Sequence, residues 1–221
     1  MAGSTAMDVV GGGKKECHIC LRRFLEQVLE SFAEKRGAWG RVCEVQDPHA
    51  FGSNVLRHAF KVANEGVYES RRQTMVIGQR LVSLFGLIVL GGTAITARCG
   101  AWSGYLLRSK RVFPFFEDRS RLFSGTSTRE SLIGAGERIT VETASCPLEG
   151  GDVMLFFSRY LSQKHEIVLG EECVDWQAGS CAEVTRAVFM RGEVPTVTFS
   201  VSIGQEAFYL GREAFLIKGQ V

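Results

Sequence analysis

Few side chains in this 221-residue sequence stand where chemistry would need them. Ser158 follows the apolar run Val153 to Phe157, at the end of what reads as a buried strand, a place suited to a hydroxyl nucleophile. It lacks the Gly-x-Ser-x-Gly elbow that exposes such a serine, and only His165 lies near it in sequence. The expectation is a strand-terminal serine bonded to backbone. Arg159, the next residue, is a cation able to hold a carboxylate or another anion through charge-assisted hydrogen bonds. Cys17 and Cys20 form a Cys-x-x-Cys pair, and a zinc site needs about four N or S ligands, usually as two such pairs. Cys173 and Cys181, eight positions apart, are too loosely spaced to supply the second. The first pair runs straight into a helical pattern, so these thiols are read as small buried residues at a helix start. His18, His49, His58 and His165 show no ligand spacing, and Gly11-Gly12-Gly13-Lys14 is not the GxxxxGK[ST] phosphate loop.

The elements that must position these residues follow from periodicity. Leu21 to Lys35 carries Leu21, Phe24, Leu25, Val28, Leu29 and Phe32 at helical spacing, ended by Gly37 and Gly40. A second helix spans Asn54 to Arg72, with Ser53 placed to cap it. The period then turns extended. Leu81–Leu90 and Thr93–Arg98 read as strands joined at Gly91-Gly92, and Tyr105–Leu107 with Arg111–Phe115 as a further hairpin. Ile139–Glu142 and Val153–Phe157 supply two more strands, and Cys181–Met190 a helix. Thr196–Ile203 alternates Val197, Phe199, Val201 and Ile203 against Thr and Ser, as a half-buried strand does. Phe208–Lys218 adds a last strand pair. Strands clustered between helices predict an α+β fold, two sheets packed face to face with helices outside. Residues 1–15 are expected to be irregular and residues 16–221 to form a single domain.

Composition removes several classes of function. The 26 basic and 24 acidic residues give a net charge of +2, too balanced to predict a nucleic-acid partner. The longest apolar stretch, Leu81 to Ala97, is interrupted by Gly86, Gly91 and Gly92 and falls short of the ~20 residues of a membrane helix, so no membrane partner is expected. Seven cysteines, an odd count, and an N-terminus without an apolar signal core predict a reducing, cytoplasmic compartment.

Several ordered motifs resemble the metal-dependent PPM (PP2C-like) protein phosphatases. Asp8-Val9-Val10-Gly11-Gly12 is similar to the family's Asp-Gly-Met-Gly-Gly, and Leu56–Tyr68 resembles the family helix that ends in Ala-Asn and an aromatic. Gly78-Gln79-Arg80, Gly100 to Tyr105 and Glu117-Asp118-Arg119-Ser120 resemble Gly-Thr-Thr, Gly-Asp-Ser-Arg-Ala-Tyr and Asp-His-Ser in the same order. Pro147-Leu148, Gly151-Asp152 and the strand to Phe157 resemble the segment that ends in Ser-Asp-Gly-Leu. Arg191 to Thr198 resembles the Gly-Gly-x-Asp-Asn-x-Thr before the last core strand. The matches span about residues 8 to 203. They imply a PP2C-like two-sheet sandwich. The family's first strands would lie before Asp8, where only seven residues stand, so those strands are expected to be missing or supplied by another chain.

The resemblance also implies a chemistry and puts it in question. Its members hydrolyse phosphoserine and phosphothreonine with paired Mn²⁺ or Mg²⁺ ions held by carboxylates. Asp8 matches one of those carboxylates. Val9 stands for a glycine whose carbonyl approaches a metal, Arg159 for the strand-end aspartate and Pro195 for the last aspartate. A guanidinium some 4 Å from a metal ion is opposed by about 4 kcal/mol or more at an effective dielectric near 20. Two placements stay open for Arg159, an ion pair with Asp8 or a loop position facing solvent. Trp102, where the family has a small polar residue, is either core or a partner contact. The expectation is a PP2C-like domain without its metal ligands or cofactor. It would act as a regulatory, protein-binding module, with Arg159 and Trp102 as anion or partner contacts and dimerisation through an open sheet edge. The alternatives are a divergent phosphatase using Mn or Mg, and a metal-free phosphate-binding module anchored by Arg159.

Overall fold

A computed structural model describes residues 14–38, 47–74, 81–116, 132–174, 184, 187–189, 197–203 and 208–214. Packing divides the chain into two compact units, Met1–Gly100 with Asp118–Pro147, and Ala101–Glu117 with Leu148–Val221.

In the first unit, helices α1 (Lys14–Ala38) and α2 (Pro48–Thr74) pack with an antiparallel sheet ordered β1 (Leu84–Leu90), β2 (Thr93–Cys99), β5 (Glu142–Pro147). α1 begins about two turns earlier than its apolar pattern predicts and runs through Gly37. Its buried stripe is Cys17, Cys20, Phe24 and Val28, so the cysteine pair belongs to the core as expected. The stripe is narrower than the sequence suggests, because Leu25 and Leu29 are 38% and 59% exposed. α2 also starts early. Asp47 caps it, its Oδ1 accepting from the Ala50 N–H at 2.9 Å, with Pro48 in the first turn. Ser53 is therefore not the cap; it lies inside the helix and is buried.

α2 meets the sheet through Leu56, Ala59, Phe60, Ala63 and Val67, which join Leu84, Ile88, Ile95 and Ala97 in one core. Phe24 and Phe60 make an edge-to-face pair with centroids 5.5 Å apart. Gly86 sits under them. A Cβ there would stand 2.9 Å from both Leu56 Cδ2 and Phe24 Cζ, closer than side chains pack. Gly86→Ala is expected to lower stability by about 2 kcal/mol, within the range for overpacked cores, read from the urea midpoint. β1 and β2 turn at Gly91 and Gly92, whose φ of 56° and 71° fit the predicted two-residue hairpin.

β5 departs from the prediction of Ile139–Glu142. Ile139 is half-buried against the core, and the pairing strand is Glu142–Pro147, in register from Thr93↔Pro147 to Arg98↔Glu142. Its residues are small and polar, so the strand is set by β2 rather than by its own pattern. The Arg98↔Glu142 register pair is also an ion pair, with Arg98 Nη2 2.6 Å from Glu142 Oε2. Before β5 the chain is latched to α2. Asn64 Nδ2 donates to the carbonyls of Gly136 (3.0 Å) and Glu137 (3.2 Å), and its Oδ1 accepts from Gly134 N (2.7 Å). Arg71 donates to the Gly134 carbonyl. Ile133 and Val82 pair in an isolated bridge.

The second unit is a five-stranded antiparallel sheet in the order β4 (Arg111–Pro114), β3 (Ser103–Arg108), β6 (Val153–Phe157), β7 (Val197–Ile203), β8 (Phe208–Ala214). The β3–β4 turn uses Ser109 and Lys110 at positive φ, a conformation usually left to Asn and Gly. β6 matches its prediction, flanked by β3 and β7. β7 is covered on both faces, since Thr198 and Ser200 are buried along with Val201 and Ile203, which corrects the half-buried reading. β8 is one strand where a pair was expected, and residues 215–218 lie outside the described residues. Of the predicted helix at 181–190, Val184, Ala187 and Val188 are helical and the two valines buried.

Helix α3 (Gln163–Val174) was not predicted. Its start is a reciprocal cap: Ser162 Oγ accepts from His165 N, and Ser162 N donates to His165 Nδ1, each at 3.3 Å. Histidine stands where a capping box has Glu or Gln. The described residues thus form two antiparallel sheets with helices, the α+β class expected from the sequence.

Candidate functional site

The sequence points to the two ends of β6, and the structure fixes both. At the start, Gly151 turns the chain at φ 90°. Its N–H donates to the Ile203 carbonyl, and Ile203 N–H donates back to the Asp152 carbonyl, both at 2.8 Å. Asp152 is 1% exposed and held on two sides. Arg108 grips it with Nε to Oδ1 at 2.8 Å and Nη2 to Oδ2 at 2.6 Å, and Glu149 N–H donates to Oδ2 at 2.8 Å. A third Arg108 nitrogen reaches Glu149 Oε1 at 2.8 Å. Burial works to raise the Asp152 carboxyl pKa, but the Arg108 and Glu149 hydrogen bonds and the guanidinium charge outweigh it. The carboxyl is held below its ordinary value.

β6 then delivers Ser158 and Arg159 beyond its last paired residue, since Phe157 pairs with Ser103 on one side and Thr198 on the other. Ser158 is 1% exposed, so no substrate in solution can meet its hydroxyl. Arg159 is half-buried, and its guanidinium carbon lies 5.3 Å from the centroid of the Phe189 ring. That spacing is a cation–π contact. Phe189 also packs edge-on to Phe157 (5.7 Å) and against the His165 ring (5.2 Å). The segment after Arg159 is tied down by Leu161 N–H donating to Ser103 Oγ and by the Ser162–His165 cap. Tyr105 Oη donates to Glu166 Oε1 at 2.9 Å, holding α3 to β3. His165 is thus a capping and packing residue, with Nδ1 occupied by the Ser162 N–H.

The structure places the other sequence candidates as follows. Trp102 is fully buried just before β3, the core placement of its two readings. Asp8, Val9 and Pro195 lie outside the described residues, and so does any pairing of Arg159 with Asp8. Phe189, the ring that receives Arg159, was missed. It is thirty residues downstream, and only its place in an apolar stretch with Val188 hinted at burial. The buried thiols are poor ligands and poor nucleophiles. Burial first, and the Glu16 charge second, raise the Cys17 pKa; burial and the neighbouring Cys17 and Cys99 push Cys20 further. Cys99 and Cys173 are each pushed up to about 12, chiefly by burial. Among the described residues no group of three or more His, Cys, Asp or Glu is placed to hold a metal ion. No helix among them is long and apolar enough to cross a membrane.

The sequence matches no protein-family model and no curated protein. Solved structures do match. PppA, a key regulatory component of T6SS in Pseudomonas aeruginosa, is 14% identical with a TM-score of 0.60, over 90% of this chain and 88% of that one. The Mycobacterium tuberculosis serine/threonine phosphatase PstP/Ppp is 15% identical with a TM-score of 0.60, over 92% of each chain. The PstP catalytic domain in complex with two manganese ions is 15% identical with a TM-score of 0.56, over 90% of each. The fold is that of the PPM phosphatases. Within the PPM fold, the strand-end position that the resemblance gives to a metal-binding aspartate carries Arg159, docked on an aromatic ring. Arg159 itself cannot ligate Mn or Mg, because a guanidinium offers only hydrogen-bond donors and positive charge.

Proposed function

We propose that this PPM-fold chain is a non-catalytic regulatory domain that binds a protein partner. The single observation that carries the reading is the stacking of Arg159 on Phe189 at the end of β6, where two-metal hydrolysis needs a carboxylate. The regulatory part draws support from PppA, which has the same fold and is described as a regulatory component. Arg159, half-buried on the buried Phe189 ring, is the residue we assign to contact an anionic group of the partner.

The test is a pair of measurements on the full chain. Titration calorimetry with Mn²⁺ is expected to show no binding heat at millimolar metal, and p-nitrophenyl phosphate with excess Mn²⁺ is expected to turn over no faster than buffer. Mn²⁺-dependent hydrolysis that is lost in Asp8→Ala would sink the proposal in favour of a divergent phosphatase. A melting temperature raised by inorganic phosphate without metal, and not in Arg159→Gln, would instead identify a phosphate-binding module.

A further inference from the structure

We draw no further inference here: the strongest candidate, the polar groove between α1 and α2 lined by Lys15, His18, Arg22, Arg23, Glu26 and Glu69, carries nothing, because Glu26 and Glu69 stand among its cations so that charge selects no ligand, and nothing in the structure shows what covers it.

Discussion

Arg108→Met is expected to destabilise the second unit by about 3 kcal/mol, the lower end of the range for breaking a buried ion pair, because Arg108 keeps some contact with solvent. The substitution preserves most of the apolar stem and removes the two nitrogens that hold Asp152, leaving a 1% exposed carboxylate with one backbone donor. The pH dependence separates this from lost packing. The folded-state pKa of Asp152 is depressed, so its contribution is present above the ordinary carboxylate range and lost as pH falls through the lower folded value. The gap between wild type and variant in urea midpoints should stay level at neutral pH and shrink below about pH 4. A gap that persists undiminished in acid would show that Arg108 acts through packing alone.

Asn64→Ala should cost a similar amount, about 3 kcal/mol, in the first unit. Three hydrogen bonds tie Asn64 to the Gly134–Glu137 stretch, and truncation leaves two carbonyls and the buried Gly134 N–H without their partner, at roughly 1–3 kcal/mol for each group that water cannot reach. Asn64→Asp is a sharper probe. It keeps the acceptor for Gly134 N but turns a carboxylate oxygen toward two carbonyls, so it should be no more stable than the alanine variant near neutral pH. An aspartate variant as stable as wild type in urea unfolding would show that the amide donors contribute nothing.

The sequence made legible those parts of the fold whose local chemistry and tertiary role agree. β6 is five apolar residues between a Gly-Gly-Asp turn and a polar exit, and it appears with the predicted bounds. Gly91-Gly92 between two apolar runs could hardly be anything but a hairpin. The Ala-Asn of α2 was noticed as a pattern, but its work, latching a loop seventy residues away, is invisible without the fold. α3 escaped because Ile167 is exposed while Leu169 and Cys173 are buried, which leaves a faint periodicity. Its cap is also spelled with histidine. β5 escaped because a strand of Glu, Thr, Ala, Ser, Cys and Pro owes its existence to its neighbour. At the candidate site, the order of residues singled out Arg159 at a position the resemblance gives to a metal-binding aspartate. It could not reveal the ring beneath it, because a contact across thirty residues has no local signature.

That ring has a consequence for how this molecule could change. Replacing Arg159 with aspartate puts a carboxylate where the resemblance expects one, yet the face of Phe189 that attracts a cation offers an anion nothing. The exchange gives up a contact of about 0.5–2 kcal/mol on a ring that also packs on Phe157 and His165. Arg159→Asp alone is therefore expected to lower stability, read from the urea midpoint. The Phe189 ring thus ties the arginine to the packing of the second unit, so that its loss is felt in the fold as well as at the surface.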